Sequence, residues 1–300
     1  MNTLIRSVPI NLAGVAAAVL LTAPLASFAG EDIDETLDMQ ANGLVQVENI
    51  AGVIEFATWD KEQVQIRGEA GDTVEEVEIT SNANGVQVRV HNRKNKLNTD
   101  DTDLFLRIPA AASIEADGVS ADITVRGNRG ESILLNTVSG DLEVDARPQR
   151  MELQSVSGDV EFVGEVARST VETVSGEIGI VGASGEVSLS TVSGDVTLEG
   201  GKLSRGRFES VSGDLTLELS LEEGGRLTCD SMSGDVNLRL PSSQQAAFTA
   251  QSYSGGIKTD FGKSSSVSKG PGVMLEHRQG DNGAKVRLET FSGDITIRAQ

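Results

Sequence analysis

One short motif recurs over just more than half of this chain, and its spacing limits the folds open to it. A Ser or Thr, an apolar residue, then Ser-Gly and an acid occur at Thr137–Asp141, Ser155–Asp159, Thr173–Glu177, Thr191–Asp195, Ser210–Asp214, Ser231–Asp235 and Thr290–Asp294, with a variant at Ser252–Gly256. The motif glycines are Gly140, Gly158, Gly176, Gly194, Gly213, Gly234, Gly255 and Gly293, separated by 18, 18, 18, 19, 21, 21 and 38 residues. The last interval is close to two periods, so one copy has diverged or become a loop. Two weaker copies precede the series, at Ile50–Val53 and Val119–Asp122. Self-similarity at a near-constant period signals a repeat architecture.

Apolar residues alternate on both sides of each motif. Met151 and Leu153 precede Ser155, and Val160 and Phe162 follow Asp159; the same columns hold Val187, Leu189, Val196 and Leu198, then Val286, Leu288, Ile295 and Ile297. A period of two means strands with one buried face. The phase shifts by one residue across the motif, so a bend or bulge there keeps both flanking strands pointing inward. At that bend Gly is expected to supply positive φ, and each Asp to cap its own turn and point into water. One pair of short strands cannot bury its apolar face alone; copies stacked about 4.8 Å apart can. The expected fold is an all-β parallel β-solenoid of stacked coils of 18 to 21 residues, the number of faces per coil left open. A propeller blade needs about 40 residues per repeat. A leucine-rich repeat needs a Leu/Asn ladder that is absent, and a sandwich would not repeat one motif at this spacing.

Three segments follow. Residues 1–29 read as a signal peptide, with Arg6 before an apolar run and Ser27-Phe28-Ala29 at its end. Residues 30–112 read as a β-rich N-terminal cap, with strand-like alternation at Val64–Arg67, Val77–Thr80, Val86–Val90 and Leu104–Ile108 and a hairpin signal at Asn82–Gly85. Residues 113–300 carry the repeat solenoid, continuous with the cap. Ser264–Gly283 reads as a long loop, and Ile295–Arg298 as a terminal edge strand, either docking another chain or covered by a loop folded back on it. After signal cleavage no stretch is long enough to span a bilayer, so the chain is expected in the periplasm, at the cell surface or outside the cell.

Composition sets the chemistry. Against 45 Asp and Glu stand 25 Lys and Arg, a net charge of −20. Such a surface repels nucleic acid and anionic lipid headgroups. The one basic cluster in the linear sequence is His91, Arg93, Lys94 and Lys96, which reads as a solvated hairpin loop. Cys229 has no partner for a disulfide and falls in an inward column with Leu189 and Phe208, where it reads as a small core residue. A Ser-His-Asp triad needs a His beside a Ser, but His91 and His277 are the only histidines and the serines form a ladder. With one Cys and two His far apart, no metal site is expected, no cofactor either, and no catalytic residue is assigned.

Stacking would bring Asp141, Asp159, Glu177, Asp195, Asp214 and Asp235 into one acidic column, the candidate binding surface. Such a column suits weak cation binding, or attack on a glycosidic bond, but Trp59 and Tyr253 are the only Trp and Tyr and offer little sugar platform. Trp59 itself reads as cap packing.

Asn49–Phe56, Thr58-Trp59-Asp60, Leu106–Pro109 and the ladder ending at Leu288–Ile297 resemble a bacterial family, the β-strand-repeat domain of unknown function labelled as a candidate adhesin. The resemblance covers roughly residues 40–300 and implies an extracytoplasmic, all-β, non-enzymatic protein; it brings no catalytic residues. Three functions stay open: an adhesin or binding module of the cell envelope, a polymer-forming scaffold, and a carbohydrate-active enzyme. The partner would be a glycan, another envelope protein or another copy of the chain.

Overall fold

The computed structural model describes residues 25–27, 32–82, 84–93, 100–267, 271–281 and 283–300. The signal segment, apart from a three-residue strand at Leu25–Ser27, lies outside the described residues, as do Lys94 and Lys96. The protein is all-β, and the described residues contain no helix.

Each copy of the motif joins two strands, one before the bend and one after it. Copy pairs with copy in parallel and in register. Met151 and Leu153 sit opposite Ser169 and Val171, and these opposite Val187 and Leu189. Beyond the bend, Leu142 lies opposite Val160, Val160 opposite Ile178 and Ile178 opposite Val196. These columns point inward from both strands into one continuous core, in which Val160, Phe162, Ile178 and Leu198 are buried. The period-two alternation therefore reports burial correctly on both sides of the bend. Ser155 and Gly158 also turn inward, while Val156, Ser157 and Asp159 face out.

The copies do not stack in chain order. Leu227 and Cys229 pair with Val286 and Leu288, and the latter strand also pairs with Phe248 and Ala250. The last copy is thus inserted between Ser231–Asp235 and Ser252–Gly256. The C-terminal strand Ile295–Ala299 lies between Val236–Leu240 and Ile257–Thr259, hydrogen bonded on both sides, and is not the open edge its place in the sequence suggests. The long 38-residue interval is the excursion this insertion requires. Within it, Val273–Gln279 is a strand rather than loop, lying antiparallel on Ala246–Ser252 and closing that end of the stack. Phe248 stacks on Phe261, with ring centroids 4.8 Å apart, and His277 packs beyond Phe248.

The N-terminal end mirrors this device. Leu44–Trp59 pairs in parallel with Ser113–Asn128 on one side, and with Gly85–Asn92 and Thr102–Pro109 on the other. The copy at Ile50–Val53 therefore belongs to the stack. Antiparallel strands Val74–Asn82 and Gln63–Glu69 cover the outer edge, followed by Asp32–Asp38. Trp59 holds the turn there, its Nε1–H donating to the Gln63 carbonyl at 2.7 Å with Lys61 over its ring. Antiparallel strands at both ends replace the open parallel edges that would template aggregation.

Candidate functional site

The bend builds the outer surface. Its first residue, Ser or Thr, is buried and accepts the amide hydrogen of the Gly three residues on: Gly158 N–H donates to Ser155 Oγ at 2.9 Å, and Gly176 N–H to Thr173 Oγ1 at 3.0 Å. The motif glycines do not have positive φ, contrary to the expectation. A Cβ on Gly158 would stand 1.8 Å from the Gly140 carbonyl oxygen, and one on Gly176 1.9 Å from that of Gly158. Glycine is required because one coil's backbone passes against the next.

The acidic column assembles as the spacing predicts, but its aspartates cap the next coil rather than their own turn. Asp159 N–H donates to Asp141 Oδ1 at 2.9 Å, Glu177 N–H to Asp159 Oδ1, Asp214 N–H to Asp195 Oδ1 and Asp235 N–H to Asp214 Oδ1, the last three at 2.8 Å. The ladder starts at Asp122 and continues through Asp294 to Gly256 N–H. Glu177 receives no such bond from Asp195 among the described residues. One oxygen of each Asp in the ladder is thus committed to joining coils. Among the described residues, no group of three or more His, Cys, Asp or Glu is placed to hold a metal ion.

What the motif leaves unpartnered is its second residue. In stacking order Val119, Val138, Val156, Val174, Val192, Val211, Met232, Phe291 and Tyr253 face solvent, each 40–59% exposed. Consecutive bends are joined by backbone bonds, Ser175 N–H to the Val156 carbonyl and Ser193 N–H to that of Val174, so these side chains form one continuous apolar ridge. Eight intervals of about 4.8 Å make it about 38 Å long. At its C-terminal end Tyr253 and Phe291 stack with centroids 5.9 Å apart and line a groove with Val192, Val211, Met232 and the carboxylates of Glu209, Asp230 and Glu289.

Those three carboxylates are cross-strand neighbours. Arg207 pairs with Glu209, and Arg287 with Glu289 at 2.7 Å, whereas Asp230 has no ion-pair partner among the described residues. Partial burial, then the Glu289 carboxylate, raises the Asp230 pKa, with Arg287 opposing. Over the coils of Val211, Met232 and Phe291 the ridge is therefore bordered by acid on both sides, by the Asp ladder on one and by this row on the other, whereas farther back the same row holds Ser190, Gln154 and Asn136.

Farther out on the same sheet, Arg205, Arg226 and Lys285 align on adjacent strands. This basic row escaped sequence reading because its members are 21 and 59 residues apart and meet only through the register. The ridge residues were in view as the most regular position of the motif, yet apolar side chains in a repeat read as core. Cys229 is buried as expected, its thiol pKa pushed well up by burial and by neighbouring Asp230, so it is inert as a nucleophile. The two histidines lie at opposite ends of the stack, His91 against Glu78 at 3.2 Å and His277 against Phe248, and the structure brings neither to the serine ladder.

No curated protein matches the chain. A candidate cell adhesion protein from Clostridium sporogenes is similar in structure, with 10% identity, 90% of this chain and 100% of that chain covered, and a TM-score of 0.25. A candidate adhesin from Bacteroides fragilis is similar at 12% identity over 89% of this chain and 97% of that chain, with a TM-score of 0.45. Similarity at that level says nothing of what this chain binds. Residues 164–298, a little under half of the chain, match the family model described as Toastrack DUF4097.

Proposed function

We propose that the protein is a non-catalytic, exported cell-envelope protein, an adhesin-like binding module built as a β-solenoid of two-stranded coils. The observation that carries this reading is the apolar ridge. Nine bends in succession expose an apolar residue where a polar one would cost nothing sterically. Monomeric soluble proteins rarely expose contiguous apolar surface without a binding use for it. The scaffold suits the role, because its register holds the ridge straight and its capped ends keep copies from joining end to end. The polymer-forming alternative loses its main support with the pairing of Ile295–Ala299 between two strands.

The test uses the full chain and an isolated cell-envelope fraction. Changing Val156, Val174 and Val192 together to Lys should abolish retention on that fraction while leaving thermal unfolding nearly unchanged, because these side chains are exposed. Changing Asp141, Asp159, Asp195 and Asp214 to Asn keeps the oxygen acceptors and removes four charges, and should weaken retention in a graded way. Retention of the triple Lys variant at the wild-type level would overturn the ridge as the binding surface.

A further inference from the structure

The chemistry of the ridge and its borders narrows the partner, an inference that rests on the binding role proposed above. The apolar line is narrow, one side chain per coil, and over the coils of Val211, Met232 and Phe291 carboxylates flank it on both sides. Asp214, Asp235 and Asp294 stand on one side and Glu209, Asp230 and Glu289 on the other, with Arg207 and Arg287 paired to the outer two of the second row. At the C-terminal end Met232 and Phe291 are the most exposed large apolar side chains of the described residues, at 57% and 59%. They rise beside Asp230, which forms no direct ion pair among the described residues although Arg287 and Arg207 act on it from a distance. A chain of net charge −20 adds a long-range field of the same sign.

We propose that the ridge receives a cationic amphipathic helix of a partner protein, its apolar stripe on the ridge and its Lys or Arg residues over the flanking carboxylates. Three observations favour this occupant. Charge complementarity requires cations on both margins of the apolar contact, which is the layout of a basic amphipathic helix. A helix advances about 5.4 Å per turn and the ridge about 4.8 Å per coil, so close to one turn of helix matches each coil. The five ridge residues from Val192 to Tyr253 span about 19 Å, the length of about 13 helical residues. A second copy of this chain fits poorly, because ridge-to-ridge contact would bring four acidic margins together. An anionic bilayer is repelled by the same margins.

The probes are three labelled 18-residue peptides: one with a Leu stripe flanked by Lys, one with Glu in place of Lys, and a scramble of the Lys peptide that destroys the stripe. Fluorescence anisotropy against the full chain should show the Lys peptide binding at least about tenfold more tightly than either of the others, and weakening in high salt. Met232→Lys with Phe291→Lys should remove that binding about tenfold or more, and Asp230→Asn should weaken it by a few fold, with circular dichroism and unfolding midpoints showing that both variants remain folded. Equal binding of the scramble, or no effect of the Met232 and Phe291 changes, would overturn the proposal. Tighter binding of the Glu peptide, lost in the ridge variant, would leave the ridge as the binding surface and overturn its cationic partner alone. If peptide binding and retention on the envelope fraction both survive in the ridge variants, the partner and the binding role fail together. A dimer that forms without peptide and is lost in the double variant would overturn the proposal in favour of self-association.

Discussion

At Gly158 the coil-to-coil spacing leaves no room for a side chain, since a Cβ would stand 1.8 Å from the Gly140 carbonyl oxygen. That neighbour is backbone and cannot rotate away, so accommodating a methyl group means parting two coils. Gly158→Ala should therefore cost more than about 3 kcal/mol in a denaturant titration. Ser157→Ala, whose side chain faces solvent, should stay within about 0.5 kcal/mol. Comparable small effects for both would mean the bends are not packed coil on coil. The identities of these residues were legible in the sequence, but their reasons were not. A Gly in a turn suggests positive φ, and an Asp beside it suggests a cap on its own turn. Both inferences are local, whereas the controlling contacts here join residues 18 apart. Cys229 was legible because inwardness depends only on alternation within a strand.

Individual elements were easier to read than their neighbours. Alternation placed the strands at Gln63–Glu69, Val74–Asn82, Gly85–Asn92 and Thr102–Pro109 and the hairpin between the middle two. It could not reveal that Ile295–Ala299 slips between two earlier strands. Copies this alike pair equally well with one another, so only the length and closing geometry of the excursion through Val273–Gln279 decide the order. The carboxylate of Asp260 helps hold the result: it accepts from Ala299 N–H at 3.1 Å and from Arg298 at 3.0 Å, and these donors lower its pKa. Hydrogen exchange should accordingly find the amides of Ile295–Ile297 among the slow-exchanging part of the chain, although they lie within six residues of its end. Exchange as fast as in a frayed terminus would show that the strand is an open edge after all.

Across the whole molecule, one structural rule yields the core, the acidic ladder and the ridge together. Register repeats every side chain of the motif along the stack, so the inward columns become a continuous apolar core and the outward ones become lines of a single chemistry. The acidic column was legible from spacing alone. The ridge was hidden by the habit of assigning repeated Val to a core, and the basic row of Arg205, Arg226 and Lys285 by its scatter along the sequence. All three depend on adjacent copies lying directly against each other. Paired cysteines test that most directly. With Cys229 buried, cysteines placed at Val156 and Val174 stand about 4.8 Å apart across neighbouring coils, within disulfide reach. Cysteines at Val156 and Val192 stand about twice that distance apart, beyond it. Under mild oxidation the first pair should form an intramolecular disulfide nearly completely and the second should not; efficient closure of the second pair, or failure of the first in folded protein, would contradict the stacked arrangement and the ridge built on it.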